Sequence, residues 1–90
     1  MTEARGAAQG NTAMTAGDVQ LSLADYAQAE EMYQLAVEKG VSDRDRALTR
    51  LGIAQAMQGK AAEAKTTLEQ VSGARAPVAK MWMAYADTKA

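Results

Sequence analysis

Apolar and small residues recur along this chain at steps of three and four, which is the spacing of one face of an α-helix. The clearest run covers Tyr26–Lys39, with Asp25 placed as an N-cap and Gly40 as a C-terminal stop. Valine and isoleucine never alternate with polar residues over the length of a strand. The pattern therefore predicts an all-α chain.

About five helices are predicted, and the links between them are short. The expected ranges are residues 11–23, residues 26–39, a third helix from Ser42 or Asp43 to just before Gly59, residues 61–71, and a fifth helix that begins at Pro77. Asn11 or Thr12 is the expected N-cap of the first helix. Residues 1–10 are small, polar and glycine-containing, so they are expected to form a flexible N-terminal tail. Short links favour antiparallel neighbouring helices.

The periodicity also predicts which residues face inward. The inward sets are Ala16, Val19, Gln20 and Leu23 in the first helix; Tyr26, Ala29, Met32, Tyr33, Ala36 and Val37 in the second; Leu48, Leu51, Gly52, Gln55 and Ala56 in the third; Ala61, Ala64, Leu68 and Val71 in the fourth; and Val78, Met81, Trp82, Tyr85 and Ala86 in the fifth.

The helices repeat at a fixed spacing along the chain. Gly17 aligns with Gly52, Ala29 with Ala64, and Tyr33 with Leu68, each pair 35 residues apart. A further step of 34 residues takes Leu48 to Trp82, Leu51 to Tyr85 and Gly52 to Ala86. We expect the glycines and alanines to let paired helices approach closely, while the larger residues fill the space between one pair and the next.

This pattern resembles the tetratricopeptide repeat, a helix–turn–helix unit with the motif W-x₂-L-G-x₂-Y, A-x₃-F and a terminal proline. The matching segments are Leu48-x₂-Leu51-Gly52, Trp82-x₂-Tyr85-Ala86, Ala29-x₃-Tyr33 and Ala64-x₃-Leu68. The resemblance implies an α–α superhelix of antiparallel helix hairpins. Repeat one would cover residues 11–43, repeat two residues 44–77, and a capping helix residues 78–90. The alternative is an irregular helical bundle whose self-similarity is accidental.

The resemblance also implies a concave groove, lined by the first helix of each repeat, that holds a partner protein or peptide. The groove positions carried over onto this chain are Asn11, Met14, Asp18, Leu21, Arg46, Thr49, Arg50, Ile53, Ala56, Lys80, Met83, Ala84 and Asp87. Relatives that clamp a peptide carboxylate use a basic residue and asparagines in the first two repeats. This chain has Met14, Asp18 and Arg50 there, so the usual clamp is absent.

Arg46 and Arg50 match the two basic positions of that clamp's last repeat. They are four residues apart, so they share a helix face and could both bind the same carboxylate. The alternative is that the two arginines are solvated and form ion pairs with Asp18 or Asp43, since exposed ion pairs are common.

Three further features allow two interpretations each. Met14, Ile53 and Met83 could form a soft apolar groove or belong to ordinary core packing. Trp82 could anchor an interface or cap the core of the last repeat. The acidic pairs Glu30-Glu31 and Asp43/Asp45 are read as solvated faces, because close neighbours on one helix point in different directions.

Composition narrows the function classes. The net charge of −1 lacks the basic excess that nucleic-acid binding needs. The chain has no cysteine and no histidine, so disulfides, thiolate metal sites and imidazole catalysis are excluded. No apolar run approaches the roughly 20 residues of a membrane span. We therefore expect no catalytic activity, no cofactor, no metal, no nucleic acid and no membrane span.

The sequence predicts a protein–protein interaction module, expected to be part of a larger protein, with a partner of unknown identity. The alternative is a homo-oligomerisation or scaffold unit, with a homodimer as its simplest form, because a repeat array needs about three repeats to bury its ends. The absence of cysteine leaves the compartment undecided; cytoplasm is the default expectation, with periplasm open if an upstream signal was removed.

Overall fold

The computed structural model describes the backbone of residues 2–89, and the side chains of these except residues 2–8, 74, 87 and 89. Its five α-helices are α1 (Thr2–Ser22), α2 (Tyr26–Lys39), α3 (Arg44–Met57), α4 (Ala61–Leu68) and α5 (Ala76–Lys89), with a 3₁₀ turn at Gly73–Arg75 before α5. Over residues 2–89 there is no β-strand. The prediction of an all-α chain with about five helices is confirmed.

The ends of α2 and α3 follow from the capping residues. The Asp25 carboxylate accepts a hydrogen bond from the Gln28 N–H at 3.3 Å, and the Asp43 carboxylate accepts one from the Arg46 N–H at 3.1 Å. Gly40 ends α2 with a φ of 81°, and Gly59 follows α3 with a φ of 79°. Both glycines adopt the left-handed conformation that other residues rarely take, so they stop the helices where predicted.

The first helix begins much earlier than the sequence predicts. Residues 2–10 are helical where a flexible tail was expected, and Met1 lies outside the described residues. Asn11 is not an N-cap: its side chain donates to Ser42 Oγ at 3.1 Å and accepts from the Ser42 N–H at 3.2 Å. Gly10 is buried, and a Cβ there would lie 2.8 Å from the Val41 nitrogen. The glycine taken as a sign of mobility is therefore a close contact between α1 and the end of α2.

The fourth helix is shorter than predicted. It ends at Leu68 instead of Val71, and the Val71 N–H bonds to the Leu68 carbonyl in the turn that follows, at 3.1 Å. Val71 is still buried, as its place on the apolar face predicted.

Two antiparallel hairpins are built on the same close contact. In the first, α1 and α2 meet where Gly17 faces the Tyr33 ring; a Cβ on Gly17 would lie 2.7 Å from Tyr33 Cε1. In the second, Gly52 of α3 faces Leu68 of α4, and a Cβ there would overlap the leucine side chain. The predicted role of both glycines in close helix approach is confirmed.

The hydrophobic core has two clusters that follow the two hairpins. The first contains Ala13, Met14, Ala29, Tyr33, Ala36, Val41, Ala47, Leu51 and Ala54. The second contains Leu48, Ala56, Ala64, Leu68, Val71, Ala79 and Ala86. Val37 is partly buried against both clusters, and α3 contributes to both. The hairpins are therefore joined through α3, with α5 packed against the second.

The inward faces of α3 and α4 are as predicted, but those of α1 and α5 are rotated. Val19 and Leu23 of α1 are 52% and 69% exposed, whereas Ala13 and Met14 are buried. In α5, Ala86 is buried and Trp82 is partly buried as predicted, but Val78, Met81 and Tyr85 are exposed, and Ala79 is buried instead. Both helices carry apolar residues on two adjacent stripes, and the small residues select the stripe that is buried.

We expect Gly52→Ala to lower the free energy of unfolding by about 1–3 kcal/mol, because the added methyl group would overpack against Leu68. The effect should outweigh the higher helix propensity of alanine, which favours it by about 1 kcal/mol. Urea denaturation monitored by circular dichroism measures the change.

Leu68→Ala provides the matched background. There the space is open, so Gly52→Ala should become neutral or stabilising, and the two substitutions should be strongly non-additive. A stabilising effect of Gly52→Ala in the original chain would show that the contact does not limit helix approach.

Candidate binding groove between α1 and α3

Two adjoining depressions lie between α1 and α3. One, of about 220 Å³, is lined by Asn11, Met14, Thr15, Asp18 and Arg46. The other, of about 360 Å³, is lined by Asp18, Leu21, Ser22, Arg46 and Arg50. Because Asp18 and Arg46 line both depressions, we call them together the α1–α3 groove. The structure thus brings together six of the predicted groove residues from two helices: Asn11, Met14, Asp18, Leu21, Arg46 and Arg50.

Asp18 is the central hydrogen-bond acceptor of the groove. Its Oδ1 accepts from the Tyr33 hydroxyl and its Oδ2 from Arg50 Nη1, both at 2.6 Å. Burial raises the pKa of Tyr33 well above its ordinary value, and the hydrogen bond to Asp18 raises it further. Tyr33 therefore remains a protonated donor, and it fixes the Asp18 carboxylate from inside the core.

Arg50 forms an ion pair with this carboxylate, in agreement with the interpretation of an arginine that pairs with Asp18. The pair is partly exposed, with 27% of the Arg50 side chain and 36% of the Asp18 side chain accessible. Exposed ion pairs of this kind contribute about 0–1 kcal/mol to stability. Its main consequence is geometric, because it links α1 to α3 across the groove.

Arg46 differs from Arg50 in having no such partner. Its backbone N–H bonds to the Asp43 cap, but among the described residues no carboxylate lies within ion-pair distance of its guanidinium group. The side chain is half-buried and lines both depressions. A positive charge without a direct ion pair to any described side chain therefore lies on the wall of the groove, one helical turn from Arg50.

Four predicted groove residues of α1 and α3 are less accessible than expected, and one of them, Ala56, is fully buried in the second core cluster. Thr49 is buried, and its hydroxyl donates to the Asp45 carbonyl at 2.7 Å, so it does not line the groove. Met14 contacts the groove from the first core cluster, where it is buried. Ile53 is half-buried. Core packing is thus the better interpretation of Met14.

The α5 residues lie apart from the α1–α3 groove. Lys80 is exposed, and Met83 packs against the second core cluster, as Trp82 does. The side chain of Asp87 lies outside the described residues. Met14 and Met83 therefore belong to different core clusters and do not form one methionine-lined surface.

A buried polar cluster between α2, α3 and α4 was missed by the sequence analysis. Glu30 is only 7% exposed, so its interpretation as part of a solvated face is wrong. Its carboxylate accepts hydrogen bonds from Gln55 at 3.2 Å, Gln58 at 2.8 Å and Lys60 at 2.9 Å. Gln55 in turn accepts from the Thr67 hydroxyl at 2.7 Å. The available signal was Gln55, a polar residue on a predicted packing face, which requires a buried partner.

The environment of Glu30 lowers its pKa below the ordinary value of 4.5. Burial alone would raise the pKa, but the hydrogen bonds from Lys60, Gln58 and Gln55 stabilise the ionised form by more. The pKa of Lys60 is raised, chiefly through its hydrogen bond to Glu30. The cluster therefore ties the two hairpins together through an ionised carboxylate, away from the α1–α3 groove.

We expect Glu30→Gln to lower the free energy of unfolding at pH 7 by about 1–3 kcal/mol, because charge-assisted hydrogen bonds are lost at a buried position. The folded pKa of Glu30 lies below its unfolded value, so the stability from ionisation is present above about pH 4.5 and is lost as the pH falls through the folded pKa. The variant should therefore lose less stability than the original chain on acidification.

Urea titrations at a series of pH values between about 7 and 3 provide the measurement. Glu31→Gln is the matched control, since Glu31 is exposed on the same helix and should have little effect. Equal acid sensitivity of the Glu30→Gln variant and the original chain would contradict this role.

The described residues contain neither a group of three or more acidic side chains placed to hold a metal nor a helix long and apolar enough to cross a membrane. Comparison of the chain with family models, curated proteins and solved structures gave no match.

Proposed function

We propose that this chain is a non-catalytic protein-interaction module, similar to tetratricopeptide repeats, that binds an acidic segment of a partner protein in the α1–α3 groove. The equivalent contacts Gly17–Tyr33 and Gly52–Leu68 support a repeated hairpin. The observation that carries the proposal is Arg46, a half-buried cation on the wall of a groove that forms no ion pair with the side chains that the structure describes.

The groove has the chemistry to bind a carboxylate with an apolar neighbour. Arg46 would bind the carboxylate, either of an acidic side chain or of a chain terminus. Arg50 donates to Asp18 through Nη1, and a guanidinium group has five N–H donors, so further donors remain for the same ligand. Leu21 lies along the groove and is partly buried, so it would contact an apolar residue of the partner.

Contacts with the core fix the position of one arginine of the groove. Tyr33 holds Asp18, and Asp18 holds Arg50, so this arginine is oriented before a ligand arrives. Preorganised side chains lose less conformational entropy on binding. Arg46 would supply the attraction, and the Tyr33–Asp18–Arg50 chain would supply the fixed geometry.

Self-association is the second candidate function, and a separate observation favours it. Large apolar side chains are exposed at both ends of the helical stack: Val19 and Leu23 on α1, and Val78, Met81 and Tyr85 on α5. Contiguous exposed apolar surface commonly marks an interface. The two candidates use different surfaces and are compatible in one molecule.

We expect Arg46→Ala to weaken the binding of an acidic peptide about 10-fold, which corresponds to the loss of a charge-assisted hydrogen bond. The probe is a fluorescein-labelled peptide of alternating leucine and glutamate, measured by fluorescence anisotropy at low ionic strength. A peptide with glutamine in place of glutamate should bind weakly to the original chain.

Lys39→Ala is the matched control, because Lys39 is an exposed cation at the end of α2. The affinity of this variant for the acidic peptide should stay within about twofold of that of the original chain. Circular dichroism should be unchanged in both variants. Equal binding of the glutamine peptide, or no effect of Arg46→Ala, would refute the proposed role of the groove.

A further inference from the structure

An open apolar stripe runs along α1 on the side away from α3. Thr12, Ala16, Val19 and Leu23 follow one another at steps of four and three, which places them on one face of the helix. Val19 and Leu23 are more than half exposed. We call these four residues the outer stripe of α1.

The outer stripe borders an apolar groove between α1 and α2. This groove encloses about 400 Å³ and is lined by Gln9, Thr12, Ala13, Ala16, Met32 and Leu35. The α1 wall consists mainly of small side chains, so it can accept larger side chains from outside. Met32 and Leu35 provide apolar contact area on the opposite wall.

In the second hairpin, the face that corresponds to the outer stripe is covered. At the 35-residue spacing, Thr12, Ala16 and Val19 correspond to Ala47, Leu51 and Ala54. These three residues of α3 are buried in the first core cluster, which includes Tyr33 and Val41 of the first hairpin and the loop that follows it. One face of the hairpin is therefore covered inside the chain in the second repeat and open in the first.

A complementary ridge lies at the other end of the molecule, on α5. Val78, Met81 and Tyr85 are spaced three and four residues apart and are exposed. The Tyr85 ring packs edge-on against Trp82, with ring centroids 5.3 Å apart and an interplanar angle of 76°. Trp82 itself packs against the second core cluster, so its contact with Tyr85 fixes the orientation of the Tyr85 ring.

The charges beside the two surfaces are also complementary. Exposed Glu31 precedes Met32, and exposed Glu38 and Lys39 lie three and four residues after Leu35, so acidic side chains outnumber the basic one along this part of α2. On α5, Lys80 precedes Met81 and is the one charged side chain described in that helix. Opposite charges at the rim of an apolar contact favour one orientation over others.

We infer that the groove between α1 and α2 receives the α5 ridge of a second copy of this chain. This rests on the self-association candidate and specifies its geometry: the two copies meet head to tail, through different surfaces. Small residues on one side face large ones on the other, and acidic groups face a basic one. Because each copy keeps a free groove and a free ridge, the contact can continue into longer assemblies.

Disulfide trapping tests this arrangement, because the chain has no native cysteine. Ala16→Cys places one thiol in the groove, and Met81→Cys places one on the ridge. Under mild oxidation, a mixture of the two variants should give at least fivefold more covalent dimer than either variant alone. Mass spectrometry of the cross-linked peptide should identify the mixed disulfide.

Two results would overturn the inference. Dominant dimers of the Ala16→Cys variant by itself would mean that two α1 faces pair symmetrically. Cross-linking no greater than in denaturant, with a monomer mass by light scattering at every concentration, would mean that the groove does not take a second copy.

A charge substitution separates this contact from peptide binding. Light scattering gives the weight-average mass, and the amount by which it exceeds the monomer mass reports self-association. Met81→Glu should reduce this amount at least twofold, while the affinity for the leucine–glutamate peptide in fluorescence anisotropy should stay unchanged. Thr66→Glu, at an exposed site on α4, is the matched control and should change neither. Arg46→Ala should leave the cross-linking yield unchanged, so failure of one proposal is distinguishable from failure of the other.

Discussion

The rest of the structure depends on a large side chain packed against a helical glycine. Gly17 receives the Tyr33 ring and Gly52 receives Leu68, and in each case a β-carbon would overlap the partner. A chain of 90 residues has little apolar area to bury, so close helix contact offsets the lack of bulky side chains. Many alanines in both core clusters serve the same close approach.

The same contact sets the chemistry of the candidate groove. With its ring fixed against Gly17, Tyr33 brings its hydroxyl to Asp18, and Asp18 binds Arg50 of the next hairpin. The internal acid thus pairs with Arg50, while Arg46 forms no ion pair with the described side chains. The arrangement of charged side chains in the candidate groove is in this way determined by packing in the core.

Polar and apolar contacts between the hairpins have separate roles. The cluster around Glu30 joins α2, α3 and α4 through directional hydrogen bonds, which require one relative placement of these helices. Val19 and Leu23 of α1, and Val78, Met81 and Tyr85 of α5, are apolar and remain exposed in the single chain. The molecule is therefore well specified at its centre and open at its two ends.

The sequence by itself determined the number of helices, the cap at Asp25, the choice of Ser42 or Asp43 at the start of the third helix, and the spacing of the two glycines, because these depend on local backbone preferences and on periodicity. Through the family resemblance it also indicated most of the α1 and α3 residues that line the groove, but not Thr15 and Ser22. Only the tertiary structure decided that Glu30 is buried, that Arg50 rather than Arg46 is paired, and which stripe of α1 faces inward. Those outcomes depend on distances between segments about 15 to 30 residues apart, which periodicity along one helix does not encode.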